Sequence, residues 1–278
     1  MRTIPFTKLH GLGNDFVLVD ARGGASHLVK LLTKPVITAI ADRKRGAGFD
    51  QLLLLRTSPR VHAVLDIYNA DGSMAEMCGN GLRAAALFMW TRGAASDNEL
   101  VIETAAGDRL ARKLGPLSED GSIECEMGVP KIKKTPSALM RGVRLATKTT
   151  HPVIVDVGNP HAVVLTVMPK NQAELTKWGS LLENHKAFPR RTNVEFVKRT
   201  NAHAIDVQVW ERGVGITEAC GTGAVAAACA AISQGLVQSP VEVRFPGGAA
   251  EVRWDGKKKP AFLRGHAVEV FSGVFNLK

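Results

Sequence analysis

Two stretches of this chain repeat each other. A displacement of 142 residues lays Cys78-Gly-Asn-Gly-Leu-Arg-Ala-Ala-Ala on Cys220-Gly-Thr-Gly-Ala-Val-Ala-Ala-Ala and places Gly93 on Gly235. The same displacement pairs Tyr68 with Trp210, Glu76 with Glu218 and the amide Gln51 with the amide Asn193, while a displacement of 145 pairs Gly13-Asn14 with Gly158-Asn159. So many matches in one order point to a duplicated domain, and two copies make a pseudo-symmetric pair rather than a solenoid. A length of 278 residues suits two such domains. The turn-rich stretch Gly115–Gly121 is where the halves change over. The expected division is residues 1–120 and 121–265, with 266–278 packing onto the first half.

Each copy reads as a glycine-rich turn leading into a helix, Gly79–Thr91 and Gly221–Ser233. Both helices are rich in alanine, almost uncharged, and followed by a glycine suited to a C-terminal cap. A helix that is apolar all round is buried, so both should be core helices enclosed by sheet. Strands are expected at Val17–Asp20, Leu52–Leu55, Val61–Tyr68, Ser122–Met127, Val153–Val157, Val163–Val167, Val194–Val197, Ile205–Val209, Val241–Phe245 and Ala267–Phe271. Further helices are expected at His27–Ala41 and Asn171–Glu183. Phe245-Pro-Gly-Gly248 reads as a tight turn. The fold class is therefore α/β, of the α+β type.

Hydrophobic residues form 45% of the chain and charged residues 22%, a balance that excludes a disordered or low-complexity protein. Four cysteines, none in a CxxC pair, give neither a disulfide framework nor a zinc site. No apolar run is long enough for a membrane helix. The first residues lack the apolar region of a secretory signal, so a cytoplasmic location is expected.

The repeated turn has a chemistry. The first N–H groups of a helix lack partners and sit at the positive end of its dipole, so a carboxylate or phosphate can bind there. A cysteine at the helix start feels the same field, which lowers its pKa. If a pseudo-twofold axis aims both turns at one cleft, Cys78 and Cys220 become two acid/base groups on opposite sides of one carbon. That arrangement suits stereoinversion, with one thiolate removing a proton and one thiol returning a proton to the other face. No lysine stands beside either turn to hold a pyridoxal Schiff base, so the mechanism is expected to need no cofactor, and no metal is expected.

Buried cysteine is commonly a small hydrophobe. That reading suits Cys229, within the second helix, and Cys125, in a strand. It does not suit Cys78 and Cys220, which occupy matched positions ahead of Gly-x-Gly.

The blocks Phe6-Thr-Lys-Leu-His-Gly-Leu-Gly-Asn-Asp-Phe16, Asn69-Ala-Asp-Gly-Ser73, Cys78-Gly-Asn-Gly81, Gly158-Asn-Pro-His161, Arg191-Thr-Asn-Val194, Glu211-Arg-Gly213 and Ala219-Cys-Gly-Thr-Gly-Ala224 resemble the diaminopimelate epimerase family. They stand in the family's order and cover nearly the whole chain. The resemblance implies a PLP-independent enzyme that interconverts LL- and meso-diaminopimelate on the route to lysine and peptidoglycan. It implies two similar domains, each a curved mixed sheet wrapped around a central apolar helix. It assigns Cys78 and Cys220 as the acid/base pair, with His161 and Glu211 supporting catalysis. Gly79 with Asn80, and Gly221 with Thr222, would hold the reacting carboxylate. Asn14, Gln51, Asn69, Asn159, Asn193, Glu211 and Arg212 match substrate-binding positions. A homodimer is implied too, although a tyrosine associated with dimerisation stands here as Phe271, and Ala84 replaces a frequent cysteine.

A substrate with two ammonium groups and two carboxylates needs donors and acceptors alike. Amides supply both without charge, Arg212 can clamp a carboxylate and Glu211 can accept from an ammonium. The bland alternatives are turn-forming asparagines at 14, 69 and 159, sheet-edge residues at 51 and 193, a surface Glu211–Arg212 pair and a core His161. Asp71-Gly72 reads as turn chemistry, and Arg83 as an anchor of its helix as readily as a ligand contact.

A proline racemase-like enzyme would keep both thiols but has no need of Asn69, Asn193 and Glu211-Arg212 for a distal amino-acid centre. A basic nucleic-acid-binding module is suggested by the formal charge of +10. Its Lys and Arg fall in short scattered runs, however, without a recognition motif and with only 5% aromatic residues. Solvated surface charge is the better reading, with no nucleic-acid partner.

Overall fold

The computed structural model describes residues 2–93, 97–116 and 122–277. The chain forms two compact units, Met1–Cys125 with Gly265–Lys278, and Glu126–Arg264. Residues 117–121 of the expected changeover lie outside the described residues.

In the first unit, β1 (Thr3–Gly11) and β2 (Asn14–Ala21) form an antiparallel hairpin. The chain then passes through α1 (Leu28–Leu31) and α2 (Lys34–Ala41) into β3 (Gln51–Arg56), parallel to β2. The single helix expected over His27–Ala41 is thus two. Pro35 has no N–H to continue a preceding helix and enters instead as a first-turn proline of α2, with the N-cap Thr33 extended at φ −75°, ψ 160°. Strand β4 (Ala63–Asn69) runs antiparallel to β3, and helix α3 (Gly79–Thr91) leads to β5 (Glu99–Thr104), parallel to β4. Strand β6 (Gly107–Lys113) completes a hairpin with β5 and pairs in turn with β7 (Ile123–Glu126). The C-terminal strand Val268–Asn276 returns to pair antiparallel with β1.

The second unit repeats this order. Short strands β8 (Lys131–Lys133), β9 (Val143–Leu145) and β10 (Lys148–Thr150) precede the hairpin of β11 (Val153–Asp156) and β12 (Pro160–Val164). Helix α4 (Gln172–Glu183) crosses over to β13 (Asn193–Asn201), parallel to β12, and β14 (Ala204–Glu211) follows antiparallel. After β15 (Gly215–Thr217), helix α5 (Gly221–Ser233) leads to β16 (Val241–Phe245), parallel to β14. Strands β17 (Gly248–Trp254) and β18 (Ala261–Gly265) end the unit. Phe245 pairs with Gly248 across the expected tight turn.

Helices α3 and α5 have the bounds read from the sequence. Each is buried along nearly its whole length, from Gly79 to Trp90 and from Gly221 to Ala231. Alanine-rich surfaces let surrounding strands approach closely, so each helix serves as the core about which its mixed sheet packs. Two strand expectations move. The one placed at Val163–Val167 lies at Pro160–Val164, and the last runs on from Val268 to Asn276.

Candidate active site

Each half-site is built at the start of its buried helix. Cys78 is the N-cap of α3, with extended backbone at φ −143°, ψ 111°, and its Sγ accepts from the Gly81 N–H at 3.3 Å. Cys220 caps α5 in the same manner, at φ −133°, ψ 120°, with Sγ accepting from the Gly223 N–H at 3.4 Å. Sulfur thus takes the role that a serine or aspartate oxygen plays at an ordinary N-cap. The glycines at the third helical position are a packing necessity. A Cβ on Gly81 would lie 2.9 Å from Leu53 Cδ2, and one on Gly223 would lie 2.9 Å from Glu195 Oε1.

In the first unit the structure gathers Asn14, Cys78 and Asn80. The Cys78 thiol points to Asn14 Oδ1 at 3.7 Å, and Asn80 Nδ2 donates to the same oxygen at 3.5 Å. Asn14 is oriented by its own Nδ2, which donates to Asp50 Oδ2 at 3.0 Å. Arg43 bridges Asp50 and Asp15, and Lys8 also binds Asp15. Asn80 is fixed from behind by Arg83, whose Nη2 donates to Oδ1 at 2.6 Å. Arg83 is wholly buried and packs against glycine; a Cβ on Gly265 would sit 3.3 Å from its Cζ. It therefore supports the half-site from inside the core. Gln51 and Asn69 form a second pair on neighbouring strands, where Gln51 Nε2 donates to Asn69 Oδ1 at 3.2 Å. The remaining polar atom of that amide, Gln51 Oε1, is buried without a partner among the described residues. Asp71 accepts from the Ser73 N–H and hydroxyl, closing the expected turn.

In the second unit Cys220, Thr222, Asn159 and His161 come together. Thr222 Oγ1 lies 3.5 Å from Cys220 Sγ and accepts from Asn159 Nδ2 at 3.3 Å. His161 Nε2 lies 2.8 Å from Asn159 Oδ1. Glu211 Oε1 accepts from the Thr217 hydroxyl at 2.6 Å. Asn193 uses its amide locally, donating to the Pro160 carbonyl at 3.1 Å and accepting from the Arg212 N–H at 2.9 Å. It thereby fixes the turn that carries Glu211 and Arg212.

Two residues of this half-site escaped the sequence reading. Glu195, fully buried, places Oε1 2.6 Å from His161 Nδ1. Its signal was present in the repeat, since the displacement of 142 lays this carboxylate on Leu53 within an otherwise apolar run. Glu183, at the end of α4, accepts from Trp210 Nε1 at 2.7 Å and from the Gly213 N–H at 2.8 Å. It braces the Glu211–Arg212 turn from both sides.

The electrostatics correct one expectation. Helix dipole and N–H groups do not leave Cys220 with an easily ionised thiol. Burial pushes its pKa well up, and the Glu211 and Glu195 carboxylates add to this, while hydrogen bonds from Thr222 and Gly223 pull it back. Burial likewise raises Cys125, to about 12, and Cys229. Both are fully enclosed and serve as packing. Among the described residues no group of three or more His, Cys, Asp or Glu is placed to hold a metal ion, and no helix is long and apolar enough to cross a membrane.

Comparison with known proteins identifies the chain's family. The family model described as diaminopimelate epimerase matches residues 6–133 and 153–270. The chain is 39% identical to the diaminopimelate epimerase of Pseudomonas fluorescens, covering 98% of this chain and 99% of that one. It is 40% identical to the diaminopimelate epimerase of Azoarcus sp. (strain BH72), covering 99% of each. Among solved structures, a hydroxyproline epimerase from Agrobacterium vitis superposes with a TM-score of 0.73 at 18% identity, over 98% of this chain and 92% of that one. A Bacillus anthracis phenazine biosynthesis protein does so with 0.73 at 16% identity, over 100% of each. These two share the fold. With a family match over most of the chain, and relatives at 39–40% identity over nearly its whole length, the chain belongs to the diaminopimelate epimerase family.

Proposed function

We propose that this protein is a PLP-independent epimerase that interconverts LL- and meso-diaminopimelate by moving a proton between two thiols. The observation that carries the reading is the matched pair of N-cap cysteines, each accepting from the third helical N–H of a buried helix. A thiolate removes the α-proton, and the electron pair left on the α-carbon delocalises into the adjacent carboxylate. The second thiol then returns a proton to the opposite face. Nothing is oxidised or reduced, and the two sulfurs have exchanged protonation states. The reverse reaction runs on the exchanged form.

The helix N-termini supply what this step most needs. N–H groups of Gly79 and Gly221, with the side chains of Asn80 and Thr222, favour the charge that builds on the carboxylate as the α-carbon becomes carbanionic. At the distal centre, Arg212 suits a carboxylate. Glu211 and the buried Oε1 of Gln51 suit an ammonium. Asn14, Asn69 and Asn159 complete the polar lining, Asn193 holds the turn bearing Glu211 and Arg212, and His161 supports Cys220 through Asn159 and Thr222. The product serves lysine and peptidoglycan precursor synthesis, and a cytoplasmic location goes with that role.

The same reading includes a homodimer. The C-terminal strand leaves Val270, Phe271 and Val274 exposed at 55%, 49% and 57%, apolar surface of the kind a second copy covers. Phe271 packs edge-on against Phe6 of β1, with ring centroids 6.1 Å apart.

The test is incubation of the reduced protein with LL-diaminopimelate in D₂O without added PLP. Deuterium is expected at the α-position alongside meso product, and Cys78→Ser and Cys220→Ser should each lower turnover severely. Full activity in either variant refutes the two-thiol mechanism.

A further inference from the structure

The two half-sites share a backbone but not their supporting chemistry. Parallel strand register sets Phe16 opposite Gln51 in the first unit and His161 opposite Asn193 in the second. His161 thus stands where its counterpart is Phe16. Beneath the third helical glycine, Leu53 in the first unit is replaced by Glu195 in the second, each 2.9 Å from where a Cβ on that glycine would lie. An apolar pair therefore satisfies this fold, while the second unit buries a carboxyl and an imidazole, both with no exposed surface. Burying ionisable groups is costly unless they are paired and hydrogen-bonded. The pair needs a reason beyond packing.

The hydrogen bonds supply one, because they have a direction. Asn159 presents Oδ1 to His161 Nε2 at 2.8 Å, so Nε2 carries hydrogen and donates. Asn159 Nδ2 donates to Thr222 Oγ1 at 3.3 Å, which leaves the threonine's one hydrogen for Cys220 Sγ at 3.5 Å. At the other end, Glu195 Oε1 meets His161 Nδ1 at 2.6 Å. Either the carboxylic acid donates to a neutral ring, or an imidazolium donates to a carboxylate; both states keep the hydrogen on Nε2. Burial pushes the Glu195 carboxyl toward its neutral form, with His161 opposing. Its second oxygen has no partner among the described residues, which suits an acid carbonyl better than a carboxylate. At the matched position of the first unit the amide faces the other way: Asn14 turns Nδ2 to Asp50 and offers its oxygen to the thiol of Cys78.

We propose that Glu195 is a positioning residue: it locks the Nε2–H tautomer of His161, so that His161, Asn159 and Thr222 form a one-way chain of donors ending on Cys220 Sγ. The chain favours thiolate at Cys220 without placing another cation there. It offsets the burial and the neighbouring Glu211 carboxylate that resist ionisation. The inference rests on the acid/base role given to Cys220, but its structural half does not depend on turnover.

The experiment is ¹⁵N NMR of histidine-labelled protein, with His161 assigned by the signals lost in His161→Phe, together with steady-state kinetics. Wild type should show His161 with hydrogen on Nε2. Glu195→Leu, which copies Leu53, removes the carboxyl partner of Nδ1; it should give a tautomer mixture and lower kcat about 10–100-fold with KM nearly unchanged. Glu195→Gln can still donate to Nδ1, and should retain both the tautomer and kcat within about threefold. Wild-type His161 with hydrogen on Nδ1 alone overturns the proposal, even if Glu195→Leu does not fold. So does a Glu195→Leu enzyme with unchanged kcat, or a Glu195→Gln enzyme that keeps the tautomer but loses activity. If wild type shows the expected tautomer yet fails to exchange the α-proton of diaminopimelate, the function reading fails and the positioning of His161 stands.

Discussion

Gly179 lies in the middle of α4, where helix propensity and tertiary packing make opposite demands. An alanine in a helix interior is favoured over glycine by about 1 kcal/mol, so propensity alone makes Gly179→Ala stabilising. The structure reverses the sign. A Cβ at this position would lie 2.5 Å from Trp210 Cγ, 2.6 Å from its Cβ and 2.7 Å from its Cδ2, where ordinary contact begins at 3.4 Å. Neither side yields easily. The methyl is fixed to helix backbone, and the indole is tethered through Nε1 to Glu183 at 2.7 Å. Overpacking of a rigid core costs about 1–3 kcal/mol, and displacing Trp210 weakens a hydrogen bond to a charged group worth about 1.5–3 kcal/mol. With the propensity gain subtracted, the net loss is about 2 kcal/mol, equivalent to about 4–8 °C in Tm for a unit of this size. Urea denaturation followed by tryptophan fluorescence measures it. The companion variant Gly179→Ala with Trp210→Val should recover stability relative to Trp210→Val alone, because the methyl then has room and the propensity term remains. A single Gly179→Ala variant as stable as wild type would mean that Trp210 yields to the added methyl at no cost.

Two other predictions concern charge and assembly. Burial raises the Asp15 carboxyl, but hydrogen bonds and charge from Arg43 and Lys8 outweigh it and hold the group at about 2, below its ordinary 3.8. A pKa depressed by folding contributes stability that is complete above the unfolded value and is lost as pH falls. Asp15 should therefore stabilise fully above about pH 4 and progressively less toward pH 2, and Asp15→Asn should flatten that part of a stability–pH profile measured by urea midpoint. If the profile is unchanged, the Lys8–Asp15–Arg43 cluster does not hold in solution. Val270→Glu with Val274→Glu places charge on the exposed C-terminal strand and should convert the proposed homodimer to a folded monomer in sedimentation velocity. Persistence of the dimer places the subunit interface elsewhere.

Local sequence was enough for some elements and not for others. Helices α3 and α5 were legible to the residue because their signals are local: cysteine and glycine at the start, an uninterrupted apolar run, and glycine after the end. The strands of the β5–β6 hairpin were not expected. Apolar Val101 and Leu110 face outward and Arg109 faces inward, which obscures alternation, and only the fold shows Arg60 meeting Glu103 and Asp108, and Arg112 meeting Glu99. The break between α1 and α2 could have been read from Pro35, yet the apolar periodicity across it suggested a single helix.

For the candidate site, the duplicated frame, the two N-cap cysteines and the inventory of amides around them could be read from the chain alone, since each is written in a contiguous motif. What each group faces follows from packing in three dimensions. Glu195 meets His161 across 34 residues of chain because a parallel crossover sets β12 beside β13 in one register. Arg83 reaches Asn80 within a single helical turn, but its burial depends on Gly11 and Gly265 closing over it from opposite ends of the sequence. A thiol at a helix N-terminus reads as acidic when only the dipole is counted. Cys220 is otherwise, because desolvation and two carboxylates act on it through space, and a one-dimensional pattern carries no distance.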